Sequence, residues 1–598
     1  MNMTFWKTFW ASLIATVSAG ILLLIIFFLI VSAMISSAES MFSASKLTVK
    51  ENTVLHMELN GTIGDYTYAD FSPTSFQLEK QFGLKEVLSG IEIAKADENI
   101  KGIFLNCDNV SAGLATVQEI RAALEDFQES GKFIVAYHEN YSSKAYYLSS
   151  VAEELYVFPS GMIDFLGLGA ELMFFKGALD KLEVDVQIIR GSNNKFKSAV
   201  EPFINEKMSD ANREQVQKYL DALWGEMTKA VGASRNLKEG YLNKVADSVL
   251  IRKSSDAVTY KMADAVKYYD EVLQNLAEKV KVNEDSLQLL SFQKYALKKT
   301  KEAHTLTKLD DKNIAVIFAE GEIVDGRGDK NQIGGTRLSE QIREARIDDK
   351  IKAVVLRVNS PGGSALASDI IWREVKETKK LKPVIVSMGD LAASGGYYIA
   401  CEANRIFAQP TTITGSIGVF GMIPYTGDLF KNKMGITFDR VQTNAHSVIS
   451  LNKRLEEDEL AIIQEGVDDI YDDFISKVAA GRNMTKAAVD SIGQGRVWAG
   501  KDAIELGLVD EFGGLHDAIA YAADEAGITE DKVAIKYIPL GEENQFFQFL
   551  ENLEEGQGMQ AREVTPLESQ LKGVYQAIRG LSKASTYQAR MPYMLWVE

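Results

Sequence analysis

The sequence predicts an α/β protein made of two tandem, homologous halves behind an N-terminal transmembrane helix, and three observations predict it. Residues 8–38 contain no charge and no proline. Apolar runs of strand length alternate with helical patterns through most of the remaining chain, the signature of parallel βαβ units. Long stretches of the first part recur in the second at a constant offset of 251 residues.

In chain order, the first element is "TFWASLIATVSAGILLLIIFFLIVSAMISSA" at 8–38, longer than the ~20 apolar residues that cross a bilayer as a helix. A cleaved signal peptide is the rival reading, because "SSA" at 36–38 loosely fits a cleavage pattern. The apolar run is too long for a typical signal-peptide core, which favours an uncleaved anchor. Lys7 precedes the run and Glu39 follows it, so the positive-inside tendency leaves 1–7 in the cytoplasm and everything after the anchor outside it.

The halves follow. "KADENIKGIFLNCDNVSAG" at 95–113 parallels "RIDDKIKAVVLRVNSPGGS" at 346–364, and "YSSKAYYLSSVAEELYVFP" at 141–159 parallels "AASGGYYIACEANRIFAQP" at 392–410. A register held over so many residues marks an internal duplication, with halves at 48–305 and 311–540. In the second half the expected strands are "NIAVIFAEG", "KAVVLRVN", "PVIVSMGD", "NRIFAQP" and "ITFDRVQ". Helices are expected at 456–482 and 500–507, with "DAIELGLVDEFGG" at 502–514 a helix closed by a turn. Helix-rich segments between about 208 and 300 play the corresponding part in the first half. The polar tail at 541–598 reads as an interaction helix or a partly mobile segment.

Composition narrows the function. At 598 residues and 46% hydrophobic content the chain supports several domains with sizeable cores. A net charge of −18 argues against nucleic acid as a partner, since phosphate binding needs clustered Lys and Arg. Cys107 and Cys401 are the only cysteines. Both fall in or beside apolar elements, so inert core thiols are expected rather than a disulfide framework or a metal cluster.

Two turns carry the candidate chemistry. "GDLAASGGYYIACEA" places Ser394 between a buried strand and a short helix, among small residues. Helix N-termini offer unpaired N–H groups to developing negative charge. Gly395 and Gly396 allow close approach of a substrate backbone. The plain alternative is a tight strand-to-helix turn that needs small residues. "AVVLRVNSPGGSALAS" ends a second strand in Gly362 and Gly363, a turn that can aim N–H groups into a cleft as an oxyanion hole requires. Both turns would lie at the carboxyl ends of neighbouring strands, where open α/β sheets place ligands. By the offset, Ser394 maps to Ser143, Gly395 and Gly396 to Lys144 and Ala145, and Gly362 and Gly363 to Ser111 and Ala112. Any nucleophile therefore belongs to the second half.

A nucleophilic serine needs a base. His56, His138, His304, His446 and His516 form no recognisable triad pattern and read as surface or packing residues. A lysine can replace histidine if it is neutral. Its pKa must fall from ~10.4 to ~7–8, a differential solvation cost of roughly 4 kcal/mol that burial away from carboxylates can supply. "IIRGSNNKFKSAVEPF" offers Lys197 inside "FKSAV", with Lys195 as a competitor that lacks apolar neighbours on both sides. Taken alone, Lys197 is also compatible with an ordinary surface lysine.

Together "RVNSPGGSALAS", "MGDLAASGGYYIA", "PTTITGSIGVFG" and "KFKSAVEPF" resemble, in order, the sequence blocks of the signal peptide peptidase A family in its long, duplicated form. The resemblance runs from the anchor to about residue 540 and implies tandem Clp/crotonase-like halves. It implies Ser394 as nucleophile, Lys197 as general base and Ser416 of "TGSIG" as the hydroxyl that orients the lysine. Backbone N–H groups near Gly362, Gly363 and Gly395 would hold the oxyanion, with no metal or nucleotide cofactor. Ser416 maps to Phe165, and His446 aligns approximately with Lys197, so in this reading each half has kept one member of the pair.

The resemblance further implies a single-pass protein of the bacterial inner membrane with a periplasmic catalytic region. Signal-peptide remnants and other apolar peptides would be its substrates. It also implies a homo-oligomer, a tetramer, in which serine and lysine meet across neighbouring subunits; sequence spacing does not distinguish that arrangement from a pair within one chain. A crotonase-like acyl-CoA enzyme and a catalytically inactive membrane scaffold are the readings from other classes.

Overall fold

Continuous apolar runs need cover on both faces, and the second half shows how that is met. Along the strand Asn313–Glu320, Ala315, Ile317 and Ala319 face one apolar cluster while Ile314, Val316 and Phe318 face another. Helices on both sides of the sheet supply the partners, as buried parallel sheets require. The computed structural model describes residues 49–529 and 533–538 apart from 60, 73–76 and 307–312, together with 588–590 and a few positions between 10 and 22.

The first-half sheet runs Ala265–Val266, Glu154–Ile163, Phe133–Tyr141, Ile100–Leu105, Thr53–Met57, Gln288–Ser291, all paired parallel. The second runs Val497–Ala499, Ile413–Gly415, Val384–Ala393, Ile351–Ser360, Asn313–Glu320, Ala534–Ile538. Only the Val497–Ala499 edge of that path is antiparallel. The duplication is visible in the helices: Leu84–Ala96 and Leu114–Gln128 recur as Gly335–Ile347 and Ala365–Lys379, at the 251-residue offset. Upstream the register breaks, where the first half carries a hairpin of Tyr68–Ser72 and Gln77–Gln81.

A third sheet joins the halves. Its order is Gln332–Gly334, Glu322–Val324, Gly362–Ser364, Gln588–Arg590, Phe420–Tyr425, Asp185–Arg190. The last pair, antiparallel over six residues from Asp185↔Tyr425 to Arg190↔Phe420, carries first-half chain onto the second half.

Four of the five strands expected in the second half are present. "ITFDRVQ" is not a strand: it has no partner strand among the described residues, and Ile436, Phe438 and Val441 are exposed, Val441 at 96%. Alternation without a neighbour to pair with does not make a sheet. The helix expected at 502–514 ends at Glu505, and Glu511–Phe512 instead pairs with Arg405–Ala408. His304 lies in the helix Phe292–Leu306. The apolar run 8–38 lies almost wholly outside the described residues, among which no helix is long and apolar enough to cross a membrane. Of the tail, only Gln588–Arg590 is described, as a strand.

Candidate active site

Ser394 ends the strand Val384–Ala393 and precedes the helix Gly395–Ala400. Its backbone is held at φ 57° and ψ −115°, a conformation that side-chain-bearing residues rarely adopt and that clusters at functional turns. Two hydrogen bonds impose it: Ser394 N–H donates to the Gly415 carbonyl at 2.8 Å, and the Tyr398 N–H donates to the Ser394 carbonyl at 2.9 Å. Gly396 is needed because a Cβ there would stand 2.7 Å from the Ser360 carbonyl oxygen. The serine turn and the glycine turn are thus packed directly together.

Lys197 reaches the same point from the first half. It follows the strand Asp185–Arg190, which is anchored to Phe420–Tyr425, and it opens the short turn of helix Ser198–Val200. Its Nζ lies 2.8 Å from Ser394 Oγ, 3.0 Å from the Ser416 carbonyl oxygen and 3.1 Å from Ser416 Oγ. Lys197, Ser394 and Ser416 are all 0% exposed. Burial drives the Lys197 amine well below the ordinary lysine range, and no carboxylate offsets it. A neutral amine so placed can accept the hydroxyl proton. The contact forms within one chain, so no neighbouring subunit is needed to bring the two side chains together. Sequence spacing left pairing within one chain and pairing across subunits both open; here the two side chains meet within one chain. The two-strand anchor Asp185–Arg190 to Phe420–Tyr425 is the physical reason.

Residues that sequence reasoning passed over hold the lysine in place. Gln215 Nε2 donates to the Phe196 carbonyl at 3.1 Å and to Ser198 Oγ at 2.8 Å, while its Oε1 accepts from Val497 N–H at 3.2 Å. Phe196 N–H donates to the Gln494 carbonyl at 2.9 Å. Gly495, at φ +76°, lies so close that a Cβ there would be 2.5 Å from Lys197 Cβ. "Q" and "G" in helical and loop segments carry no local signal for such contacts. Lys195, the competitor, is exposed and lies over the Phe196 ring, 5.1 Å from its centroid.

The glycine turn is built as a strand edge. Gly362 is at φ +94°, and a Cβ on Gly363 would stand 1.9 Å from the Ile323 carbonyl oxygen. The Gly362 N–H donates to Ser360 Oγ at 3.1 Å. Gly362, Gly363 and Ser364 pair antiparallel with Arg590, Ala589 and Gln588, and Gln588 in turn pairs with Phe420. An extended backbone therefore occupies the slot between the glycine strip and Phe420–Tyr425. Gly395 opens the helix after Ser394, where the first N–H groups have no partner within the helix.

The first half has closed its copy of this arrangement. Ser143 Oγ donates to the Asp164 carbonyl at 2.8 Å, and Lys144 Nζ, at the position of Gly395, donates to the Ala112 carbonyl at 3.0 Å. Phe165, at the position of Ser416, is buried. The histidines whose side chains are described are engaged elsewhere: His56 stacks on Phe104, His138 contacts the Asn140 carbonyl, His446 faces Glu459 and His516 faces Glu92. No metal-holding cluster of His, Cys, Asp or Glu exists among the described residues. Cys107 and Cys401 are free and buried, and burial pushes both thiols up to about 12.

The model of peptidase family S49 matches residues 126–283 and 376–529, one region in each half. "Protease 4" of Salmonella typhi is 37% identical over 471 residues, 77% of this chain and 74% of that protein. The chain belongs to peptidase family S49. This S49 member is accordingly a serine protease acting on peptide bonds. "Protease 4" of Haemophilus influenzae is 37% identical over 452 residues, 73% of this chain and 71% of that one. "Serine protease SPPA, chloroplastic" of Arabidopsis thaliana is 34% identical over 495 residues, 81% and 71% of the two chains. The S49 regions contain Lys197 in the first match and Ser394 and Ser416 in the second.

Proposed function

We propose that this protein is a membrane-anchored serine endopeptidase that degrades cleaved signal peptides and other apolar peptides with a Ser394–Lys197 dyad. The observation that carries the reading is the 2.8 Å contact between a fully buried amine and a fully buried hydroxyl, with no carboxylate to keep the amine charged. Neutral Lys197 takes the Ser394 proton as Oγ attacks the substrate carbonyl. Ser416 orients the amine through its hydroxyl and its carbonyl without adding charge. N–H groups near Gly362, Gly363 and Gly395 hold the oxyanion, each donor typically worth ~3–4 kcal/mol; the Gly362 N–H must first leave Ser360 Oγ. Protonated Lys197 then gives its proton to the leaving amine as the C–N bond breaks. Water, deprotonated by Lys197, hydrolyses the resulting ester and restores Ser394.

Apolar peptides left in a bilayer suit an enzyme held by the apolar segment at 8–38, with its bulk on the outer face of the bacterial inner membrane. An extended peptide would add as a strand between Gly362–Ser364 and Phe420–Tyr425, where main-chain pairing gives affinity without demanding a sequence. A homotetramer remains part of this reading. The test uses detergent-solubilised protein, a fluorogenic apolar peptide and a fluorophosphonate probe. Ser394→Ala is expected to abolish labelling and hydrolysis, and Lys197→Ala to lower hydrolysis by about a thousandfold or more. Hydrolysis that survives both substitutions would remove the dyad. Fractionation of cells expressing the full chain or a chain lacking 1–38 tests the anchor, which fails if both distribute alike.

A further inference from the structure

Five ionisable side chains meet in the seam between the halves, Arg357, Asp65 and Glu119 buried, Glu320 and Asp390 half-buried. Arg357, on the strand that leads to Gly362, is 0% exposed. Its Nε donates to Asp65 Oδ1 at 2.9 Å, its Nη1 donates to Ser387 Oγ at 2.9 Å, and its Nη2 stands 2.7 Å from Glu119 Oε1. Asp390, on the strand that ends at Ser394, accepts from Thr116 N–H at 2.8 Å and from Thr116 Oγ1 at 2.7 Å. Glu320 accepts from Asp65 N–H at 3.3 Å, and Glu119 from Leu515 N–H at 2.9 Å. Asp65, Thr116 and Glu119 belong to the first half; Arg357, Glu320 and Asp390 belong to the second.

Glycines clear the space for three of the carboxylates. A Cβ on Gly113 would stand 2.1 Å from Asp390 Cγ, one on Gly64 2.9 Å from Glu320 Oε1, and one on Gly514 2.2 Å from Glu119 Oε2. One guanidinium cannot balance four carboxylates, two of them buried and two half-buried, and an uncompensated buried charge is strongly unfavourable. The cluster therefore retains protons. Burial, reinforced by neighbouring Asp65, pushes the Glu320 carboxyl up to about 8. Burial also raises Glu119, partly offset by Arg357, and Asp390, partly offset by its hydrogen bonds from Thr116.

We propose that Arg357, Asp65, Glu119, Glu320 and Asp390 form a proton-dependent clasp between the halves, through which Arg357 and Asp390 act as positioning residues for the Gly362 and Ser394 turns. The proposal rests on the dyad reading for its effect on catalysis. The two strands gripped by the clasp are neighbours: Val358 pairs with Met388 and Ser360 with Ala392, and Asn359 Oδ1 accepts from Leu391 N–H at 3.1 Å. Their ends carry the two turns. The grip from the first half comes from the helix Leu114–Gln128 and the segment around Asp65, so losing it frees both turns relative to the half that bears Lys197.

The sign of the pH effect follows from Glu320. In the folded chain its carboxyl holds a proton to higher pH than in the unfolded chain, so stability declines from the ordinary carboxylate range upward and the clasp opens as pH passes about 8. Asp65, Arg357 and Asp390 are the charged or titratable groups that face Glu320.

Glu320→Gln tests this, because an amide keeps the shape and cannot ionise. Two readouts are compared with wild type: the pH profile of kcat and KM, and amide hydrogen exchange of 113–120 and 386–396 in a Ser394→Ala background, corrected for intrinsic base catalysis. Wild type is expected to lose kcat at unchanged KM above about pH 8, with exchange in both segments quickening about tenfold between about pH 7 and pH 9. Glu320→Gln is expected to match wild type in kcat at about pH 7, to exchange more slowly than wild type in both segments already there, and to show neither the kcat loss nor the quickening at about pH 9. Thr116→Val, which spares the charges, is expected to quicken exchange in 386–396 at both pH values. Coincident exchange for wild type and Glu320→Gln across the range would overturn the clasp. Exchange does not depend on turnover, so failure of the dyad reading would leave this result legible.

Discussion

Gly495 provides a test of the lysine's placement that touches neither substrate nor either reacting group. It stands at φ +76°, and a Cβ built on it would lie 2.5 Å from Lys197 Cβ and 2.7 Å from Lys197 Cα and N. Ordinary contact begins at 3.4 Å, so Gly495→Ala requires a displacement of about 0.7–0.9 Å. The obstacle is backbone rather than a flexible tip, so the lysine must move with it. A shift of that size along the contact stretches the 2.8 Å Nζ–Oγ separation to about 3.5 Å, past useful hydrogen bonding. Misplacement by ~1 Å costs on the order of 10²-fold in rate. The left-handed backbone adds a penalty of about 1–2 kcal/mol for any L-residue, and Gly507→Ala isolates that part: Gly507 is at φ +73° with nothing within 4 Å of the added carbon. The assay is kcat on a fluorogenic peptide, with the rate of fluorophosphonate labelling and the melting temperature measured in parallel. Gly495→Ala is expected to lose about a hundredfold in both rates, while Gly507→Ala loses stability alone. Rates for Gly495→Ala within about threefold of Gly507→Ala would refute the claim that this glycine sets the position of Lys197.

Ser416→Ala removes one hydroxyl but leaves the carbonyl 3.0 Å from the amine, so kcat is expected to fall about five- to tenfold with KM unchanged; an unchanged kcat argues against orientation by Ser416. Deleting 587–598 vacates the slot that Gln588–Arg590 occupies beside Gly362–Ser364. It is expected to raise kcat/KM on peptides several-fold, by about 1 kcal/mol of relieved competition, and equal values would show that the strand does not compete with substrate. Because burial lowers the Lys197 pKa, folding disfavours its charged form, and the resulting cost shrinks as pH rises toward ~10.4. Lys197→Met is therefore expected to be more stable than wild type in urea at neutral pH, by a margin that narrows on alkalinisation; a pH-independent margin contradicts a neutral amine. With Cys107 and Cys401 pushed up to about 12 by burial, a thiol reagent at mildly alkaline pH is expected to label the protein only after denaturation.

The strands that bury both faces were legible as apolar runs, as at "NIAVIFAEG" and "PVIVSMGD", because two-sided cover leaves a continuous local signal. "ITFDRVQ" failed for the opposite reason: the pattern was present, and the partner strand was not. The short strands of the third sheet, Glu322–Val324, Gly362–Ser364 and Phe420–Tyr425, left little trace, since their pairing partners lie far away in the chain and their lengths are too small for periodicity to accumulate. Ser394 stood out through its glycine turn. Gln215, Gly495 and the Arg357 cluster did not, because their meaning lies entirely in what packs against them.

By itself the sequence determined the duplication, the order of the βα units and which half could retain a nucleophile, since these depend on residue identity at fixed spacing. That Lys197 and Ser394 meet inside one chain, only the tertiary structure decided. Apolar neighbours on both sides favoured Lys197 over Lys195 in the sequence, and packing supplies the physical reason. Burial distinguishes them, and burial is a property of the packed halves: Lys195 points to solvent, while Lys197 is enclosed by both halves and thereby stripped of the water that would keep it charged.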